Sequence, residues 1–313
     1  MEISENIVKE KIKKKSKLNE HLRKNWQLWM MVIPSLLIII IFNYIPMYGV
    51  QLAFREFDFT KGITGGEFVG LKYFKQFFDS PMFGTVIINT LRISITAIIF
   101  GFICPILLAL VINQVRNPKR KQILQTTVYL PHFISIVVMV GMLQVFLSPE
   151  TGVIPNIFGL DSSINLMGSE DSFVPVYVIS EVWQHCGWNS IIYLAALSSV
   201  DPQLYESADI DGANRWQKII NVDIPTLIPT MVVLLIMNMG GVLGAGFEKT
   251  FLMQNSLNLS VSEVISTYVY KIGILNSQFS YSTAIGLFNN LVNFLFLVIA
   301  NSLSKKYTSR SLW

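Results

Sequence analysis

Two groups of polar side chains stand out in an otherwise apolar sequence, because their types and spacing could do chemistry. The first is Glu206, Asp209, Asp211 and Asp223, four carboxylates inside "YESADIDGANRWQKIINVDIPTLIP" at residues 205–229. Acids placed so closely between two greasy runs mark a connector with a job beyond turning the chain. The second is Glu181, Gln184, His185, Trp188, Asn189 and Tyr193 within "SEVWQHCGWNSIIY", joined by Asn238 in a later apolar run. Carboxylate, amide and imidazole groups beside aromatic faces bind solutes without covalent chemistry, and in lipid such groups turn to a bundle interior or a watery cavity. Residues 181, 184, 185 and 188 share one helical face. The plainer account puts Trp183 in an interfacial belt and has the polar groups bond across helices. Catalysis is the weaker class. His21, His132 and His185 are far apart in sequence, and no GxxxxGK[ST], HExxH, GxSxG or GxGxxG occurs. The nearest phosphate-loop look-alike, "GAGFEKT" at 244–250, has the wrong spacing. Cys104 and Cys186 lie in different apolar runs without metal-ligand spacing, so both read as small packers and no metal is expected.

The elements that must position these groups are long helices. Of 313 residues 52% are hydrophobic and 14% charged, against roughly 25% charged in soluble domains, and mean hydropathy is +0.50. A soluble fold of this length could not hide so much apolar surface. Runs long enough to cross a bilayer, about 20 residues each, fall near 27–48, 84–113, 123–147, 174–199, 226–246 and 281–301. Spans in hydrocarbon must be helical to satisfy their backbone, so the expected fold is an all-α integral membrane protein of six transmembrane helices. Arg92 sits where its long side chain snorkels to the interface, and His132, after Pro131, marks a kink or cap in the third run. Gly240, Gly241, Gly244 and Gly246 in the fifth run suit close packing, and Asn289 and Asn290 in the sixth suit interhelical hydrogen bonds.

Basic residues set the expected orientation. Residues 1–26 form a basic arm with Lys9, Lys11, Lys13, Lys14, Lys15, Lys17, Arg23 and Lys24. Arg116, Lys119, Arg120 and Lys121 follow the second run, while Lys305, Lys306 and Arg310 lie in the tail, 302–313. The connector at 148–173 has acids and no base. Both termini are therefore expected in the cytoplasm, with the 201–225 connector on the same side. The first run is too long for a signal-peptide core and no small-residue cleavage site follows it, so it reads as an uncleaved helix.

A connector that only reversed the chain would be a handful of residues. This one has helix signals of its own. Asp201-Pro202 is an N-cap with proline at the first helical position, "PQLYESADI" forms a short helix, and Asp211-Gly212 stops it. Asn214 caps a second helix, "RWQKIINV", expected to end before Pro225.

Those residues carry a resemblance. "ESADIDGANRWQKIINVDIP" resembles the cytoplasmic E-A-A…G…I-x-L-P loop of permease subunits in binding-protein-dependent ABC importers. Glu206, Ser207 and Ala208 match E-A-A; Asp211, Gly212 and Ala213 match the following D-G-A; Val222, Ile224 and Pro225 match the close. Ser207, Val222 and Ile224 depart from the pattern conservatively. Longer strings, including "FVGLKYFKQFFDSPMFGTVIINTL" at 68–91 and "WQHCGWNSIIYLAALSSVDPQLYESA" at 183–208, are similar to the sugar-type group, and "GFEKTFLMQNS" to its polysaccharide or complex-oligosaccharide branch.

The resemblance implies a six-helix permease domain at 27–301 of the type I importer fold. It implies a coupling helix between spans four and five, where Glu206, Ser207, Ala208, Asp211, Gly212, Ala213 and Pro225 engage a separate ATPase. It further implies a second related permease (a heterodimer), two ATPase domains that use ATP and magnesium, an extracellular solute-binding protein, and a bacterial cell membrane. The chain itself binds no cofactor and no nucleic acid on this expectation. A carbohydrate would then meet Glu181, Gln184, His185, Trp188, Asn189, Tyr193 and Asn238 along its path. The rivals are an ion-gradient-driven secondary transporter, which would place ionisable groups at the midplane and often show internal repeats, and an importer permease for a non-sugar solute.

Overall fold

The computed structural model describes residues 24–159, 161, 164–308 and 312. Most of the basic arm, Lys9 to Arg23, and Arg310 in the tail lie outside the described residues.

The described residues are mostly helical. Among the described residues there are isolated β-bridges, Arg55 with Phe68 and Asp58 with Gly62, outside any named strand. Helix α1 spans Trp26–Phe54. After a connector and the short α2 (Lys72–Phe78) comes α3, Met82–Asn113. Helices α4 (Pro118–Phe133) and α5 (Ile136–Phe146) meet at 96°. The short α6 (Val153–Phe158) leads to α7, Glu170–Ser198, then α8, Pro202–Ile210. Helix α9 runs Arg215–Met239. Three short helices follow, α10 (Phe247–Met253), α11 (Leu259–Ser262) and α12 (Ile265–Tyr270), before α13, Phe279–Thr308.

Among the described residues, four helices are long and apolar enough to cross a membrane: α1, α3, α9 and α13, or five if the bent α4–α5 pair is one span. Helix α7 is long enough, but Glu181, Gln184, His185 and Asn189 make it polar.

Local chemistry explains the irregularities. The corner between α4 and α5 falls just after Pro131–His132, where a kink is expected, and Ser135 caps α5 by accepting the Val138 N–H. Two π-turns, Ile40–Tyr44 and Ile219–Asp223, each end two residues before a proline, Pro46 and Pro225. A proline ring crowds the carbonyl four residues back and supplies no N–H, and a widened turn absorbs both defects. The second connector helix consequently does not end before Pro225, as expected from the sequence, but continues through the π-turn as the start of α9. A second correction concerns the fifth run, which was expected to stay helical to 246. Helix α9 stops at Met239, because four glycines within seven residues hold a helix poorly. The turn is anchored by the Asn293 side chain, which accepts the Leu243 N–H at 2.8 Å.

Helices α3 and α7 lie side by side at the centre. One buried cluster joins Ile93, Val140, Phe173, Tyr177 and Met253; a second joins Ile106, Ala109, Tyr193, Leu197 and Leu227; a third joins Phe77, Val86, Leu243, Tyr281 and Ile285. Backbones approach closely at Gly187, where an added Cβ would fall 1.9 Å from the Val128 carbonyl oxygen. No residue from Trp26 to Met47 is buried.

Candidate translocation path and coupling hairpin

The connector after α7 is a capped helical hairpin. The Asp201 carboxylate accepts the Gln203 N–H at 3.0 Å, and Pro202 opens α8. Gly212, at φ +72°, supplies the left-handed turn, and the Ala213 N–H reaches back to the Ala208 carbonyl at 2.9 Å. Asn214 and Gln217 form a reciprocal capping box, the Asn214 N–H donating to Gln217 at 2.7 Å and the Gln217 N–H to Asn214 at 3.0 Å. Lys218 pairs with Asp209 across the two arms, and the Tyr205 hydroxyl donates to the Asp223 carboxylate. Glu206, Ser207, Asp211, Gly212 and Pro225 are exposed, while Ala208 and Ala213 are half-buried. Two apolar side chains stand out beside them, Ile210 at 87% and Trp216 at 73% exposure. A rigid hairpin with exposed acids and two exposed large apolar groups is suited to seating in a polar-rimmed cleft of another protein.

A second site lies between α3, α7 and the end of α9. A cavity of about 380 Å³ is lined by Glu181, His185, Asn189 and Asn238, with Gly101 and Gly241. A neighbouring cavity of about 340 Å³ shares Glu181 and His185 and adds Tyr177, Glu248 and Lys249. The other residues read from the sequence lie elsewhere. Gln184 is buried and donates to the Ile134 carbonyl at 2.7 Å, satisfying the open backbone at the α4–α5 corner. Trp188 stacks on His132, with ring centroids 4.4 Å apart and planes within 6°. Tyr193 is buried in the cluster with Leu197 and Leu227.

Two participants escaped the sequence reading. Lys249 is 2% exposed and donates to the Glu181 carboxylate at 2.8 Å and to the Tyr177 carbonyl at 3.0 Å. Its sequence signal is a lysine next to Glu248 in "GFEKTFLM", with nothing to mark which of the two charges is buried. His132 meets His185, Nδ1 to Nδ1 at 3.0 Å, and His185 Nε2 lies 3.5 Å from Glu181. A chain of polar groups thus runs Lys249–Glu181–His185–His132, tying α10, α7 and the α4 corner together. It can bind hydroxyls or carboxylates and hold protons, but presents no nucleophile–base pair.

The family model described as "Binding-protein-dependent transport system inner membrane component" matches residues 101–309. Protein LplB of Bacillus subtilis (strain 168) is 39% identical over 293 residues, 93% of this chain and 92% of that protein. The polygalacturonan/rhamnogalacturonan transport system permease protein YteP of the same strain is 38% identical over 309 residues, 98% of this chain and 96% of that one. A chain from the crystal structure of a bacterial alginate ABC transporter, in complex with an alginate pentasaccharide-bound periplasmic protein, superposes with a TM-score of 0.85 at 38% identity, covering 94% of this chain and 99% of that chain.

Proposed function

The chain belongs to the binding-protein-dependent transport system inner membrane component family, and from that premise we propose that it is one of two permease subunits of an ATP-driven importer for an oligosaccharide. It works with a second, related permease, two ATPase domains and an external binding protein that delivers the sugar. The end-to-end likeness to an alginate transporter chain supports this most directly, together with the likeness to YteP over 98% of the sequence. Six spans are part of the reading: α1, α3, the bent α4–α5 pair, α7, α9 and α13. Helix α7 is tolerated in a bilayer because its polar face turns to the cavity. The domain limits follow as a basic arm at 1–26, the permease domain at 27–301 and a tail at 302–313, with both ends and the hairpin in the cytoplasm of a bacterial cell.

In this mechanism the chain holds no nucleotide. The ATPase domains bind ATP and magnesium, close, and push on the hairpin through Glu206, Ser207, Ala208, Asp211, Gly212 and Ala213, with Pro225 stiffening its far arm. The spans then tilt about the central α3–α7 pair and open the cavity to the delivered sugar; hydrolysis returns them. Glu181, His185, Asn189 and Asn238 supply hydroxyl partners along the path, while Gln184, Trp188 and Tyr193 hold its walls. Co-expression with the partner permease, the ATPase and the binding protein should yield one complex in mild detergent. Vesicles containing it should accumulate oligosaccharide only when supplied with ATP. Full-rate uptake driven by an ion gradient, without an ATPase present, would establish a secondary transporter instead.

A further inference from the structure

Asp223 is fully buried, unlike the other three acids of the connector, Glu206, Asp209 and Asp211, which are exposed, and it lines neither cavity. It sits in the π-turn that opens the span, where α9 leaves the hairpin. One carboxylate oxygen accepts the Tyr205 hydroxyl from α8, and the other accepts the Gln114 amide at 3.2 Å from the cytoplasmic end of α3. A single carboxylate therefore joins the hairpin, the fifth span and the central helix. The other side-chain link between the hairpin arms, Lys218 to Asp209, involves a carboxylate 68% exposed, and such pairs hold little. A buried acceptor with donors on both oxygens is costly to break. Burial and the neighbouring carboxylate push the Tyr205 phenol up to about 12.

We propose that Asp223, held by Tyr205 and Gln114, is a positioning residue that makes the hairpin move with α3 and α9 as one body, so that force at α8 reaches the cavity. This rests on the reading of 201–225 as the ATPase-docking connector. The hairpin would still dock without this tie, but its displacement would be absorbed at the 211–214 turn.

The assembled complex, with Cys104 and Cys186 replaced by alanine, carries a reporter at Gly101→Cys, which faces the cavity where an added Cβ meets nothing within 4 Å. The nucleotide-induced change in thiol labelling is measured beside ATP hydrolysis. Cross-linking from Ser207→Cys to the ATPase tests the docking reading separately. Tyr205→Phe and Asp223→Ala should leave hydrolysis and cross-linking in place while shrinking the labelling response roughly tenfold, the scale of one charge-assisted hydrogen bond. Asp223→Asn, which keeps one acceptor oxygen, should fall between. If the parent cross-links and responds but Tyr205→Phe responds equally, the positioning role is wrong and the docking reading stands. If the parent neither cross-links nor responds, the docking reading itself fails. Loss of assembly, hydrolysis and response together in Tyr205→Phe would reduce Asp223 to a folding residue and overturn the inference.

Discussion

The Lys249 ammonium lies 2.8 Å from the Glu181 carboxylate and 4.5 Å above the Tyr177 ring, in a region where the lysine is 2% exposed. Removing one charge of a buried pair leaves the other uncompensated, whereas removing both restores neutrality. Lys249→Met should therefore lower stability by about 3 kcal/mol, the low end of the range because Glu181 keeps 33% of its side chain exposed. The double variant Lys249→Met/Glu181→Gln should recover most of that loss. Thermal unfolding of the purified complex checks both, and additive losses would show that the pair does not interact.

Gly187 is the contact on which α7 meets α4. A Cβ there would fall 1.9 Å from a backbone oxygen that cannot swing aside. Gly187→Ala should cost about 1–3 kcal/mol and lower the yield of folded protein in the membrane. Near-parental yield and melting temperature would mean that the two helices are farther apart than described.

Gly212 presents the opposite case. Nothing lies within 4 Å of an added Cβ, but its φ of +72° is left-handed. The penalty is conformational rather than steric, about 1–2 kcal/mol for most side chains and less for asparagine. Gly212→Val should abolish uptake while the protein remains in the membrane, and Gly212→Asn should keep it. Equal uptake by the two variants, normalised to membrane abundance, would remove the need for this turn.

The capping box should be measurable in isolation. Asn214→Ala removes the acceptor for the Gln217 N–H and should cost about 1 kcal/mol. Hydrogen exchange should speed up in residues 214–218 and stay unchanged in α7. Unchanged exchange at the hairpin would mean that the cap is not made.

Much of this molecule was legible in its sequence because lipid imposes simple rules. Apolar length marked the long helices, and Asp201-Pro202, Gly212 and Asn214 marked the hairpin, each residue type acting on the backbone beside it. Pairings between distant segments were not legible. His132 and His185 are 53 residues apart and Lys249 and Glu181 are 68 apart, and nothing local to either announces its partner. The polar face of α7 was visible as a face, but which of its members looked into the cavity depended on the α4 corner, which takes Gln184 and Trp188 for itself. The end of α9 was misjudged because glycines in an apolar run look like a packing seam as readily as a turn.

The unbroken passage from Arg215 to Met239 has a consequence for timing. Its 25 residues amount to roughly 35–40 Å of continuous helix at 1.5 Å per residue, running through the π-turn at Ile219–Asp223 from the hairpin's second arm to the cavity wall. Rotation applied at Trp216 must arrive at Asn238 in phase, like torque along a crankshaft. The azimuth of that asparagine is thereby indexed to the orientation of the hairpin, and inserting a single residue anywhere between them would throw the two out of step by about 100°.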